Sequence, residues 1–567
     1  MPGSAGISGS RPRRRACSTA RPSGTSVRAS PRRRRRTRAV VPHPAATLSD
    51  LGIPSATAAG GGSAVPGLIH EAVAAHAART PDAPAVSQGR LRLTYGELDR
   101  AAEVFAAELR RRGAGPGTLV PVAVERSPLL VAVLLGVLKC GAGYAALDPS
   151  WPEQRLRTVV AALDPPVAVG RALEPGRVWE PGPLRVHSAG EEVPHARVGH
   201  ENSSHARVEQ ERVEQESNRH APVDPSATAA VFFTSGTSGA PKGVLSPHRA
   251  TTRLFAGPDR IAGLGPGRVM AQAAPVAWDA FTLEVWGALT SGAACAMSES
   301  GSLLPDDLRD LVSGAGVDTL WITSSLFNLF MDEDPDAFAG LTHVLTGGEV
   351  LSPAHVRAFL RRHPHTALIN GYGPVESCVF ATTHRITAAD CDRPDGIPVG
   401  TPVPHTGVHL VDGEIWVSGE GLAAGYLSLP EATAERFTTL TVDGRPTRAY
   451  RTGDRGFLDA DGVLHFRGRT DRQVKIAGHR VEPAETEAAA RQVPGLRDCA
   501  VVPVNGRLEL YYTTRPERPV TAATVRRALR TALPRHLVPH TVHALPALPV
   551  TANGKTDRDA LTRRSRP

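Results

Sequence analysis

Lysine is almost missing from this chain of 567 residues. Of 65 basic residues only Lys139, Lys242, Lys475 and Lys555 are lysine, and 61 are arginine. Cysteine is sparse too. Cys17, Cys140, Cys295, Cys378, Cys391 and Cys499 are scattered, with no CxxC pair and no Cys/His spacing suited to a metal. Reduced thiols are therefore expected, not a disulfide framework. Long apolar runs are absent. The longest, Leu129–Leu138, has ten residues, whereas a membrane helix needs about 20. No apolar h-region follows the arginine-rich start, which argues against a secretory signal. A soluble, cytoplasmic protein with no membrane partner is expected.

The net charge of +9 suggests nucleic acid until it is located. Residues 1–40 hold twelve arginines and no Asp or Glu, and removing those twelve from +9 leaves −3 for residues 41–567. No aromatic residue interleaves the arginines to stack bases. Residues 1–65, ending in Gly60-Gly61-Gly62, read as a disordered, solvated tail. Nucleic acid is not the expected partner. What remains is 41% hydrophobic over the whole chain, ample for a large core.

From Leu68 the pattern is globular. Helices are expected over Gly67–Arg79, from Leu93 to Arg112 and over Pro128–Cys140, with a strand at Leu119–Val124. Apolar runs alternate with helical segments to about residue 450, which implies parallel strands with crossover helices. A polar repeat at 188–221 (His195-Ala-Arg-Val, His205-Ala-Arg-Val) reads as a surface loop. The fold class is α/β, α+β overall. A large domain at 66–470 precedes a small αβ domain at 471–561, with strands near Cys499–Val504 and Leu508–Thr514, and a tail at 562–567.

The strongest local signal is Val231-Phe-Phe-Thr-Ser-Gly-Thr-Ser-Gly-Ala-Pro-Lys-Gly-Val-Leu245. Glycines let backbone N–H groups approach an anion, hydroxyls add donors and an ammonium neutralises charge. It is not a Walker loop, because Pro241 stands where that motif needs Gly.

With this loop the chain resembles the adenylate-forming enzymes, specifically the amino-acid adenylation domains of nonribosomal peptide synthetases. The resemblance covers residues 68–561, with ten motifs in family order. Leu93–Leu98, Leu138–Pro149 and the phosphate loop are similar to the first three. Trp278-Asp279 with Glu284 resembles the fourth, and Asn370-Gly-Tyr-Gly-Pro-Val-Glu376 the fifth. Gly413–Leu427, Tyr450–Asp454 and Gly468–Gly478 resemble the sixth to eighth. Leu533–Pro539 and Asn553–Arg558 resemble the last two. All four lysines fall inside these motifs.

The resemblance implies attack of an amino acid carboxylate on ATP, giving an aminoacyl-adenylate and pyrophosphate. The acyl group would then pass to the phosphopantetheine thiol of a carrier protein. The ATP-binding residues would be Thr234, Ser235, Gly236, Thr237, Ser238, Gly239, Lys242, Gly348, Asn370, Tyr372 (stacked on adenine), Asp454 (on the ribose) and Arg469. Glu376 would bind Mg²⁺, a hard cation suited to a carboxylate plus phosphate oxygens. Lys555 would draw the substrate carboxylate and α-phosphate together. For the second step the small domain would swing about Asp471, withdrawing Lys555 and bringing in the segment around Lys475 and Gly478.

Asp279 would pair with the substrate's α-ammonium, a match that fatty-acyl and aryl ligases do not need. It is expected just before an amphipathic helix. The side-chain pocket would be lined by Ala280, Leu283, Ile322, Leu345, Gly347, Gly371, Val379 and Phe380, none charged, with both glycines leaving room. This favours a hydrophobic, branched aliphatic substrate. Val375, Ala477 and Trp278 depart from the family's usual Thr, Arg and Phe. With no carrier-like segment after Arg558 and no condensation domain before residue 68, a free-standing domain loading a carrier in trans is expected. A small activating partner protein, which some family members need, is left open. The alternatives are an acyl-CoA ligase, which Asp279 opposes, and a nucleic-acid-binding protein on an inactive scaffold.

Overall fold

The computed structural model describes residues 55–57, 67–170, 178–181, 223–236, 241–255, 261–476, 478–551 and 556–564. The arginine tail, the repeat at 188–221, Thr237, Ser238, Gly239, Ala477 and Lys555 lie outside the described residues.

Local signals place the first helices. The helix Tyr95–Arg111 starts at Thr94, whose hydroxyl accepts from the Glu97 N–H while the Glu97 carboxylate accepts from the Thr94 N–H. This reciprocal cap fixes the start two residues later than expected, and Leu93 belongs to the strand Leu91–Thr94. Ser127 caps the next helix, Pro128–Lys139, which is buried almost all round. Gly136 lets the two helices touch: a Cβ there would lie 2.9 Å from Phe105 Cβ and 3.0 Å from the Ala102 carbonyl oxygen. Lys139 pairs with Asp99 at 2.9 Å and with Glu103, both on the first of these helices. This lysine therefore serves helix packing.

The strands form two mainly parallel sheets. One has nine strands, with Ala367–Tyr372, His343–Gly347, Thr319–Thr323, Val269–Gln272, Ala294–Met297 and Pro84–Gln88 adjacent and parallel. The other has six. Its parallel strands include Leu119–Val122, Gly143–Ala146 and Thr228–Thr234, and the last turns back antiparallel into Lys242–Pro247. The phosphate loop joins that pair.

The parallel alternation does not run to residue 450. From Tyr372 to Arg469 the pairing is antiparallel, and Thr406–Val411, Glu414–Gly419, Arg445–Leu458 and Phe437–Val442 build a third sheet. Short links such as Asp412-Gly413, both at positive φ, make hairpins there in place of crossovers. The segment after Asp279 also differs from expectation. Thr282–Gly287 is π-helical and fully buried, so it has no polar face.

After the strand Leu464–Arg469 come a short hairpin, Val474–Ile476 with His479–Val481, and a three-stranded sheet of Leu496–Val504, Arg507–Thr514 and Thr541–Ala544. The helices Pro483–Arg491, Ala522–Ala532 and Arg558–Arg564 accompany this sheet. Buried residues from Val481 to Leu561 form two apolar clusters of their own.

Candidate functional site

Parallel strands point their carboxyl ends at a common crevice, where α/β folds place ligands. Here Ser235, Thr323, Gly348 and Tyr372, each at or just past such an end, line a cavity of ≈ 150 Å³ closed by the C-terminal hairpin. The lining also includes Thr234, Asp279, Ala280, Gly371, Val379, Phe380, Asp454, Arg469 and Lys475, all expected from the sequence.

Other expected residues are not at the cavity wall. Leu283 and Leu345 are fully buried in the core behind it. Ile322 lines a neighbouring cavity. The Asn370 amide donates to the Pro398 carbonyl at 2.8 Å, so it is turned into the sheet packing. The two glycines do not leave room. A Cβ on Gly347 would lie 2.1 Å from the Gly371 carbonyl oxygen, and one on Gly371 would lie 2.1 Å from the Phe380 ring. They are small because a strand and an aromatic ring press on them.

Asp279 accepts a hydrogen bond from the Val379 N–H at 3.1 Å. Val379 and its neighbour Cys378 have φ of 62° and 49°, an uncommon turn for non-glycine residues. Arg253, fully buried, donates to the Ser377 and Phe380 carbonyls at 2.6 and 2.8 Å and holds the turn. Burial raises the Asp279 carboxyl above the usual aspartate range, against the pull of the Val379 N–H and the Lys475 ammonium. A carboxylate in this state gains most from an added cation.

At the other end, Asp454 accepts from the Tyr372 hydroxyl at 2.6 Å and pairs with Arg469. Arg469 in turn grips Asp471 at 2.8 and 2.9 Å. The proposed hinge residue is thus tied to the proposed ribose carboxylate through one guanidinium. Glu376 is 1% exposed and accepts from the Tyr426 hydroxyl at 2.8 Å. Arg480, from the C-terminal hairpin, meets its other oxygen at 2.7 Å. Burial opposes ionisation of Glu376, but Arg480 and Tyr426 outweigh it, and the carboxyl stays below the usual glutamate range. Lys242 lies 5.4 Å from the centre of the Tyr426 ring, and burial lowers its ammonium.

The hairpin makes several contacts with the large domain. The Gly478 N–H donates to Glu349 at 2.9 Å, and His479 meets Trp278 edge-on at 4.4 Å. Ser235 donates to the Arg480 carbonyl at 2.8 Å and accepts from the Glu482 N–H at 3.0 Å. Lys475 joins the cavity wall on its solvent-exposed side, and the Asp454 and Asp279 carboxylates favour its charge. The residues flanking Lys555 are elsewhere: Val550 bridges Thr556, and neither lines the cavity.

Sequence reasoning missed Arg480, Arg155, Glu485 and Tyr426. Arg480 stands two residues past Gly478 and Tyr426 sits within the sixth motif, so extending those motifs would have reached both. Arg155 and Glu485 carry no local signal, because they meet only through the fold.

Residues 73–427 match the AMP-binding enzyme family, and residues 485–555 match the AMP-binding enzyme C-terminal domain. The chain belongs to the AMP-binding enzymes. It is an AMP-forming, ATP-using ligase with a large N-terminal and a small C-terminal domain. It is 33% identical over 517 residues to tyrocidine synthase 3 of Brevibacillus parabrevis, covering 87% of this chain and 8% of that one. Surfactin synthase subunit 3 of Bacillus subtilis is 33% identical over 501 residues, covering 85% and 37%. The chain spans less than a tenth of the length of the first such relatives, at 6%, 9% and 8%. Among solved structures, PA1221, an NRPS protein containing adenylation and PCP domains, is 32% identical with a TM-score of 0.73, covering 88% of this chain and 98% of that one. Among the described residues no helix is long and apolar enough to cross a membrane.

Proposed function

We propose that this chain activates a small hydrophobic amino acid with ATP as an aminoacyl-adenylate and passes it to the phosphopantetheine thiol of a carrier protein. Asp279 carries the reading. It is a carboxylate that accepts from the Val379 N–H at an apolar end of the cavity, beside Ala280, Val379 and Phe380. An α-ammonium would complete its pairing, and a fatty or aryl acid brings no such group. Phe380 packed over Gly371 narrows the side-chain space, which sharpens the preference toward small branched aliphatic residues.

In the first step ATP would lie along the phosphate loop, with Tyr372 near the adenine and Asp454 at the ribose. Charge develops on phosphate oxygens, so positioned cations, Lys242 and Lys555, do most of the work. Glu376 would hold Mg²⁺ through the oxygen that Arg480 now occupies, freed when the small domain withdraws, because its carboxyl is kept below the usual glutamate range. The ion would complete its shell from phosphate oxygens and neutralise their charge. The present placement of Lys475 and Gly478 at the cavity suits the second step.

The test is ATP–pyrophosphate exchange with a panel of amino, fatty and aryl acids. Stimulation by aliphatic amino acids alone is expected, and Asp279→Ala should raise the amino acid KM about 100-fold or more. Stimulation by fatty or aryl acids, or an unchanged KM, refutes the reading.

A further inference from the structure

Arg155 and Glu485 are 330 positions apart and 7% and 1% exposed, yet they form a direct ion pair. Arg155 is on the helix Glu153–Leu163 of the large domain, Glu485 on the helix Pro483–Arg491 of the small one. The Trp151 ring lies 5.7 Å from the guanidinium and covers it. The Gly236 N–H of the phosphate loop is near enough to favour the Glu485 charge, while Glu485 Oε2 is buried without a hydrogen-bond partner. Next to it, the Ser235 hydroxyl is held by the Arg480 carbonyl and the Glu482 N–H. A loop group suited to a phosphate oxygen, the Ser235 hydroxyl, is thus satisfied by the small domain, with a buried carboxylate beside it.

We propose that Arg155 and Glu485 are positioning residues, a latch that fixes the small domain for thiol transfer by holding a carboxylate beside the phosphate loop, whose Ser235 hydroxyl the small domain occupies. The latch rests on the functional reading above. Pyrophosphate on the loop would repel that carboxylate and compete with the Arg480 carbonyl for the Ser235 hydroxyl, so pyrophosphate and the closed latch oppose each other. Pyrophosphate departure then becomes the event that admits Glu485. Arg155 compensates the carboxylate, which would otherwise be a buried, uncompensated charge beside the loop.

The test uses the whole chain and trypsin cleavage after the exposed Arg472, between the two domains. Arg155→Ala should speed that cleavage about tenfold or more, since breaking a buried pair favours the undocked domain. Arg155→Lys should restore a rate near wild type. Inorganic pyrophosphate with Mg²⁺ should speed cleavage of wild type and leave Arg155→Ala unchanged. Glu485→Gln, on the other side of the pair, should behave like Arg155→Ala, and equal thermal unfolding of the large domain excludes a general folding defect. With pantetheine as thiol acceptor, Arg155→Ala should lower transfer at least about tenfold more than it lowers exchange. Equal cleavage in wild type and both variants, protection by pyrophosphate, or equal loss of exchange and transfer overturns the latch. Absence of exchange with every amino acid in wild type would instead refute the functional reading, and the proteolysis result would still decide the latch.

Discussion

Gly371→Ala is the most direct probe of why the pocket is shaped as it is. An alanine Cβ would lie 2.1 Å from Phe380 Cε1 and 2.6 Å from Cδ1 and Cζ. Carbon atoms in contact sit about 3.5–4 Å apart, so the ring must retreat by more than about 1 Å. It has no easy retreat, because Phe380 is 3% exposed and its backbone is fixed by Arg253. Overpacking of this kind costs about 1–3 kcal/mol. The side chain moves toward the substrate, so the amino acid KM should rise while the ATP KM stays within about twofold. Phe380→Ala alone should cost about 3–5 kcal/mol by opening a cavity. The double variant should cost less than the sum by roughly 1–2 kcal/mol, because the new methyl fills part of that cavity. Urea denaturation gives the four stabilities and exchange kinetics the two KM values. Strict additivity, or a Gly371→Ala variant as stable as wild type with an unchanged amino acid KM, refutes the packing argument.

Gly478→Ala should lower thiol transfer about 30-fold more than exchange, since a Cβ 2.5 Å from Thr323 Cγ2 strains only the docked domain, whereas the strain of φ +81° stays with the hairpin in both states. The readout is the ratio of the two rates, and equal losses contradict it. Glu284 is fully buried, accepts from Gln272, Ala273 and Ala274, and burial pushes its carboxyl up to about 7. A raised acid stabilises the fold below its unfolded pKa and loses that contribution as pH rises through the folded value. Stability should therefore fall by at most roughly 3 kcal/mol between pH 4.5 and 7 on this account, and Glu284→Gln should flatten that slope in chemical denaturation. Lys139→Arg should change stability by about 1 kcal/mol or less and leave exchange unaltered, because any cation can meet Asp99 and Glu103. A large loss of activity would return Lys139 to the site.

Fewer than half of the cavity's lining residues were legible in the sequence. Phosphate-loop and ribose residues are short-range motifs, whose Gly, Ser, Thr and Asp spacing is set by the ligand groups they would touch. The side-chain pocket was less legible. Leu283, Ile322 and Leu345 are near it in sequence order but sit one layer behind its wall, because the orientation of a buried side chain depends on what packs against it. Gly347 and Gly371 were read as space for the same reason. A missing side chain looks like room until the Phe380 ring and the neighbouring carbonyl are placed beside it. The scarcity of lysine pointed to Lys475, which lines the cavity, to Lys242, which lies beside the Tyr426 ring and not at the cavity wall, and to Lys139, whose partners lie on an adjacent helix.

The sequence by itself determined the parts. It set the helix caps at Thr94 and Ser127, the loop around Gly236, the Asp279 carboxylate and the order of the motifs, all of which act over a few residues. Only the tertiary structure decided how the parts are shared between domains. The Arg480–Glu376 pair spans 104 positions and the Arg155–Glu485 pair 330. No local preference encodes such pairs. They form because docking the small domain removes water from both charges at once, and each then needs the other.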